Sequence, residues 1–136
     1  MAQKVLAVDN ERNILRLIQA SLEQAGYQVI TASDGKDALV KIAEAHPDLV
    51  VLDVMMPIMN GLETLQAIRA NPETRLLPVI MLSGNARDRD LFQGYSHGAD
   101  IYLTKPFKPV ELLTFVNGLL AKPPAEEDDE DNVYNV

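Results

Sequence analysis

The chain has 136 residues, of which 47% are hydrophobic and 24% charged, a size and balance that fit one soluble domain with its own core. It contains no cysteine, which excludes disulfide frameworks, thiolate metal sites, CxxC redox chemistry and a cysteine nucleophile. The net charge is −8; the six acids between Glu126 and Asp131, against Lys122, put −5 of it in residues 122–136 and leave the body nearly balanced.

Taken in order, the chain alternates short apolar runs with helical periods. Val5–Val8, Leu49–Leu52 and Val79–Leu82 are unbroken apolar runs, which read as strands buried on both faces of a parallel sheet. Tyr27–Ala32 and Ile101–Thr104 are weaker, more edge-like strand candidates. Between the strands, Ile14, Ile18 and Leu22 recur at four-residue steps, as do Ala38 and Ile42, while Leu62, Leu65 and Ile68 recur at three. Leu112, Val116 and Leu119 mark a last helix. Asn10 is expected to cap the first helix and Gly26 to end it, and Ser33 or Asp34 to cap the second. Asp88–His97 is the poorest helix, with Gly94 inside it and few apolar positions, as a switching element of low local stability would be.

Five strands, each followed by a helix, give a doubly wound (βα)5 α/β domain over residues 1–121. Residues 122–136 read as an acidic, disordered tail or linker. A pI near 4.6 without a basic cluster argues against direct nucleic-acid binding. No run reaches the roughly 18 apolar residues of a membrane helix, and the N-terminus meets Asp9 too soon to hold a signal-peptide core. A cytoplasmic protein is expected.

In such sheets ligands bind beyond the carboxyl ends of the strands. The residues there are Asp9-Asn10-Glu11, Asp53, Ser83-Gly84 and Thr104-Lys105-Pro106. Clustered oxygen donors suit a hard cation, Mg²⁺ held with several waters. A hydroxyl and an ammonium beside them can neutralise a phosphoryl group. The chemistry implied is phosphoryl transfer onto the Asp53 carboxylate.

Four stretches carry a resemblance: Val8–Glu11, Val51–Gly61, Met81–Gly84 and Gly98–Phe107. In their order and spacing the chain resembles the receiver domain of two-component response regulators, close to the single-domain chemotaxis type, over about residues 3–121. The resemblance implies a flavodoxin-like three-layer sandwich with parallel strand order 2-1-3-4-5. It implies Asp53 as phosphoacceptor, charged by a histidine kinase, a phosphotransfer protein or a small phosphodonor. Mg²⁺ would be held by Asp9, Asn10, Asp53 and the Met55 backbone carbonyl. Ser83 and Lys105 would hold phosphoryl oxygens, Tyr102 would be the aromatic switch, and Pro106 would follow a cis peptide bond. Such a domain is a switch rather than an enzyme in the ordinary sense, although it catalyses its own phosphoryl transfer and dephosphorylation. Its output would be a downstream protein partner on the face running from Asp88–His97 through Tyr102 to the last helix, with Arg87, Tyr95 and Phe107 exposed. A homodimer could use the same face.

One departure from the family pattern matters. The usual acid pair at the end of the first strand is here Asp9-Asn10, so one ligand charge is missing and weaker Mg²⁺ binding is expected. The alternative reading is therefore a phosphorylation-independent pseudo-receiver acting as an interaction module. Asn60 before Gly61 is a milder change that still suits a turn. Enzymes on related folds fit poorly: acidic Asp9-Asn10-Glu11 stands where a phosphate loop should be, and Met55 where a dehalogenase-type phosphatase needs a second acid. Each motif also has a plain reading. Asp53 is a turn residue, Asp9 and Asn10 are helix caps, Ser83-Gly84 and Lys105-Pro106 are loop punctuation, and Tyr102 is an edge-strand aromatic. His46 and His97 read as structural or solvent-facing, and Met55, Met56, Met59 and Met81 as packing.

Overall fold

The structure is a computed structural model that describes residues 2–84 and 98–121. In chain order it contains β1 (Lys4–Val8), α1 (Arg12–Gln24), β2 (Gln28–Ala32), α2 (Gly35–Ala45), β3 (Leu49–Asp53), α3 (Gly61–Ala70), β4 (Val79–Ser83), β5 (Ile101–Thr104) and α4 (Pro109–Leu120). The strands form one sheet, β2-β1-β3-β4-β5, and every neighbouring pair is parallel. The helix expected over Asp88–His97, with Arg87 and Tyr95, and the tail from 122 onward lie outside the described residues. Among the described residues no helix is long and apolar enough to cross a membrane.

Successive strand side chains point to opposite faces, and this period of two divides the apolar runs between two cores. Leu6, Val8, Val50, Leu52, Val79 and Met81 face α2 and α3, meeting Ala38, Ile42, Leu65 and Ile68. Val5, Ala7, Leu49, Val51, Ile80 and Leu82 face the other way, onto Ile18 and Leu22 of α1 and Leu112 and Val116 of α4. Every residue of β3 and β4 is buried, which is why those runs show no polar alternation. Phe107, expected on an exposed face, packs half-buried against the second core instead, because an apolar ring gains by leaving water.

The helix starts are set by local hydrogen bonds. Asp34 caps α2 by accepting from the Asp37 N–H at 2.8 Å. Asn60 caps α3 in a reciprocal box with Glu63, at 2.9 and 3.0 Å. The first helix departs from expectation: Glu11, not Asn10, is its N-cap residue. The cause is Asp9, whose Oδ1 accepts the Glu11 N–H at 2.9 Å in a turn that delays the helix by one residue. Gly26 ends the α1 region with φ at 102°, where the Gly26 and Tyr27 N–H groups reach back to Glu23 and Leu22. Gly61 is required by space: a Cβ there would lie 2.2 Å from the Asp53 carbonyl oxygen. The close start of α3 against the end of β3 depends on it.

Candidate functional site

The parallel order brings the carboxyl ends of β1, β3, β4 and β5 together. Asp9, just past β1, is completely buried, and Asp53, the last residue of β3, is 4% exposed. The Lys105 ammonium bridges them, with Nζ 2.9 Å from Asp9 Oδ2 and 3.1 Å from Asp53 Oδ1. A third acid, Glu11, reaches the same Nζ at 3.3 Å. Ser83 is fully buried at the end of β4, and its carbonyl accepts the Lys105 N–H at 2.6 Å. The main chain after β5 is thus anchored to β4 where the lysine leaves it. The Lys105–Pro106 peptide is cis.

Burial decides the electrostatics. Desolvation, reinforced by the charge of Asp9, pushes the Asp53 carboxyl up to about 6, although the Lys105 ammonium and the Val54 N–H pull the other way. Burial also opposes the charge on Lys105, but its contacts with Asp9 and Asp53 outweigh it, and its pKa is raised. Two buried carboxylates share one cation, and that leaves a deficit. Asp9 Oδ2 lies 2.9 Å from Nζ and, among the described residues, meets no other donor. Asn10 is exposed beside it. Among the described residues the Met55 carbonyl accepts no hydrogen bond. A buried carboxylate oxygen whose one neighbour among the described residues is a shared ammonium, a second acid and neutral oxygens fit a hard cation that keeps several waters. Among the described residues no three His, Cys, Asp or Glu side chains form a cage of their own.

Two other features frame the site. A cleft of about 470 Å³ runs from Asp9 and Asn10 between α1 and α2, with Arg12, Arg16 and Lys41 on its walls. Asp9 and Asp37 line it too, and Asp37 pairs with Lys41 at 3.4 Å, so its walls carry both signs of charge. On the opposite side, in the loop from β3 to α3, Ile58 has φ at 71° while the Met59 N–H donates to the Pro57 carbonyl at 2.7 Å. A β-branched residue in the left-handed region of a three-residue turn is strained. Met55 and Ile58 in this loop are 64% and 77% exposed. Tyr102 is half-buried on β5, packed against the core shared with α2 and α3.

Of the residues expected from the sequence, Asp9, Asp53 and Lys105 meet at ion-pair distance, Ser83 touches Lys105 through its carbonyl and Asn10 is exposed beside Asp9, while two further features are not expected. Glu11 stood inside the first motif without a role, and its link to Lys105 crosses 94 residues of chain. The strained turn at Ile58 has no composition signal, since isoleucine ordinarily avoids that conformation. Asn60-x-x-Glu63 was readable as a capping box, yet only its turn character was drawn from it.

Fold and site together define a doubly wound parallel α/β domain with paired acids and a lysine at the carboxyl ends of its strands. The family model described as response regulator receiver domain matches residues 5–117, and the chain belongs to that family. It is 43% identical over 122 residues to the alkaline phosphatase synthesis transcriptional regulatory protein PhoP of Bacillus subtilis, covering 90% of this chain and 50% of that protein. It is 44% identical over 110 residues to protein PilG of Pseudomonas aeruginosa, covering 81% and 82% respectively. The solved chemotaxis response regulator CheY4 of Vibrio cholerae matches with a TM-score of 0.81 and 37% identity, over 88% of this chain and all of that one. The chain thus spans about half the length of PhoP and most of PilG.

Proposed function

We propose that the chain is a phosphorylation-operated switch in which Asp53 takes the phosphoryl group from a histidine kinase or a phosphotransfer protein. The observation that carries this reading is the pairing of buried Asp53 with Lys105 at 3.1 Å, beside a second buried acid, Asp9, on the same ammonium at 2.9 Å. A carboxylate so placed is stripped of water and held by a single ammonium, ready to act as a nucleophile. Its oxygen attacks phosphorus as the phosphorus–nitrogen bond of the donor breaks, and the electron pair leaves with the imidazole nitrogen. Mg²⁺ would be held by Asp9, Asn10, Asp53 and the Met55 carbonyl, and when bound it neutralises charge on the transferring oxygens.

Lys105 then exchanges Asp53 for a phosphoryl oxygen, and Ser83, one residue past the Asp53 partner Leu82, takes another. Because Ser83 pairs with Thr104 and Met81 with Tyr102 in the same register, movement at the end of β4 reaches β5 directly. The shift is a change of population between two states, limited by how much better one of them holds the phosphoryl group. The output surface lies on β5 and α4, where Val110 is 63% exposed, and its expected part over Asp88–His97 lies outside the described residues. It serves a downstream protein, or a second copy of the chain. Residues 1–121 form the receiver, residues 122–136 are its acidic appendage, and the cytoplasm is where such a switch would meet its kinase. The phosphate-independent alternative rests on Asn10 alone, and the intact Asp53–Lys105 pair speaks against it.

Intact mass after brief treatment with acetyl phosphate tests the reading. One phosphoryl adduct is expected, requiring both Mg²⁺ and Asp53. A full adduct on the Asp53→Asn chain would overturn the assignment.

A further inference from the structure

Glu11 occupies an unusual place. It is the N-cap residue of α1, yet its side chain makes no cap hydrogen bond; the carboxylate turns instead to Lys105 at 3.3 Å. The turn that sends it there is fixed by the Asp9 Oδ1 contact with its own N–H. Three acids therefore surround one ammonium, and their charges can be followed as a cation arrives. A divalent cation on Asp9 and Asp53 neutralises those two carboxylates. The ammonium, 2.9 and 3.1 Å from these carboxylates, is then attracted less by both and stands beside a dication. Glu11 is the only other acid in contact with Nζ among the described residues. Asn10, being neutral, offers no charge to offset the repulsion.

We propose that Glu11 is a positioning residue for the cation site: it keeps Lys105 paired when the cation takes Asp9 and Asp53, and so supplies the negative charge that Asn10 lacks. The inference rests on the metal-site reading above and adds to it a residue acting on the metal through Lys105, not as a ligand. Glu11 is 62% exposed in its side chain, so solvent screening keeps the effect modest.

The test is Mn²⁺ binding, followed by the electron paramagnetic resonance signal of the free ion, on the full chain. Four proteins form a cycle: the parent, Glu11→Gln, Lys105→Gln and the double variant. The chain carrying Asp9→Asn and Asp53→Asn gives the background from the acids of residues 126–131. Glu11→Gln is expected to weaken binding about threefold to fivefold in the parent, the upper part of what an exposed ion pair supplies. In the Lys105→Gln background it is expected to change affinity by less than about 1.5-fold, because the ammonium it serves is gone. Equal losses in both backgrounds would overturn the proposal by showing that Glu11 acts on the metal directly. Unchanged binding in the parent would also overturn it. A parent chain that binds no Mn²⁺ above background would overturn the metal-site reading and the proposal together.

Discussion

The two ends of the sheet treat their carboxylates in opposite ways. At the amino ends of the strands, acids serve the backbone: Asp48 Oδ2 accepts the Lys4 N–H at 2.8 Å and Asp100 Oδ2 accepts the Val79 N–H at 2.8 Å. Arg69 completes that end by donating to the carbonyls of Gly98, Leu77 and Arg75 at 2.7, 2.7 and 3.1 Å, with Asp100 at 3.5 Å. At the carboxyl ends, Asp9 and Asp53 are more deeply buried but face each other across one shared ammonium. One end uses charge to close the fold. The other leaves its carboxylates short of positive charge, a deficit that a bound cation would relieve.

The sharpest way to break this contrast is to exchange the effects of the two ends. Arg69→Ala should destabilise the fold by about 2–3 kcal/mol, because it leaves several carbonyls without donors, while acetyl phosphate labelling stays intact. Urea unfolding beside a labelling assay checks both halves. Asp53→Asn should do the reverse and stabilise the chain by about 2 kcal/mol at pH 8 in EDTA. The sign follows from a carboxyl raised to about 6 in the fold against 3.8 when unfolded. The folded chain holds the proton more tightly, so ionisation destabilises it above pH 6. That penalty is relieved as pH falls through 6 toward 4, and the advantage of the variant should vanish over the same window. A parent more stable than Asp53→Asn at pH 8 would contradict the picture.

Asn10→Asp sharpens the contrast by deepening the deficit. One added charge next to Asp9 should tighten Mg²⁺ about tenfold by calorimetry, roughly 1.4 kcal/mol, and lower the stability of the metal-free chain. The smallest effect belongs to the loop. Ile58→Gly, at an exposed position with φ at 71°, should stabilise by about 0.5–1 kcal/mol, the relief of strain being partly cancelled by the looser unfolded chain. Unchanged or lower stability in thermal unfolding would show that the turn holds no such strain.

Much of this was legible in the residues because the signals are local and redundant. Val5–Val8, Leu49–Leu52 and Val79–Leu82 mark strands buried on both faces, and the polar groups that end such runs collect at one edge of the sheet. The first helix start was misread for a physical reason. Asp9 spends one oxygen on the Glu11 N–H, a bond that no capping preference at Asn10 reveals. The Glu11–Lys105 contact was invisible because it depends on the relative placement of β1 and β5, which lie apart in the sheet order. The exposure expected for Phe107 failed because its burial is set by α4 folding back on the core, not by its neighbours in sequence.

The central claim is that the phosphoryl group is carried by Asp53 and by no other acid of the cluster. Borohydride reduction of the phosphorylated chain converts an acyl phosphate to an alcohol, and peptide mass mapping then locates it. Homoserine at position 53, with Asp9 and Glu11 unaltered, is the result this account predicts. Reduction at Asp9 or Glu11, with Asp53 intact, would contradict it.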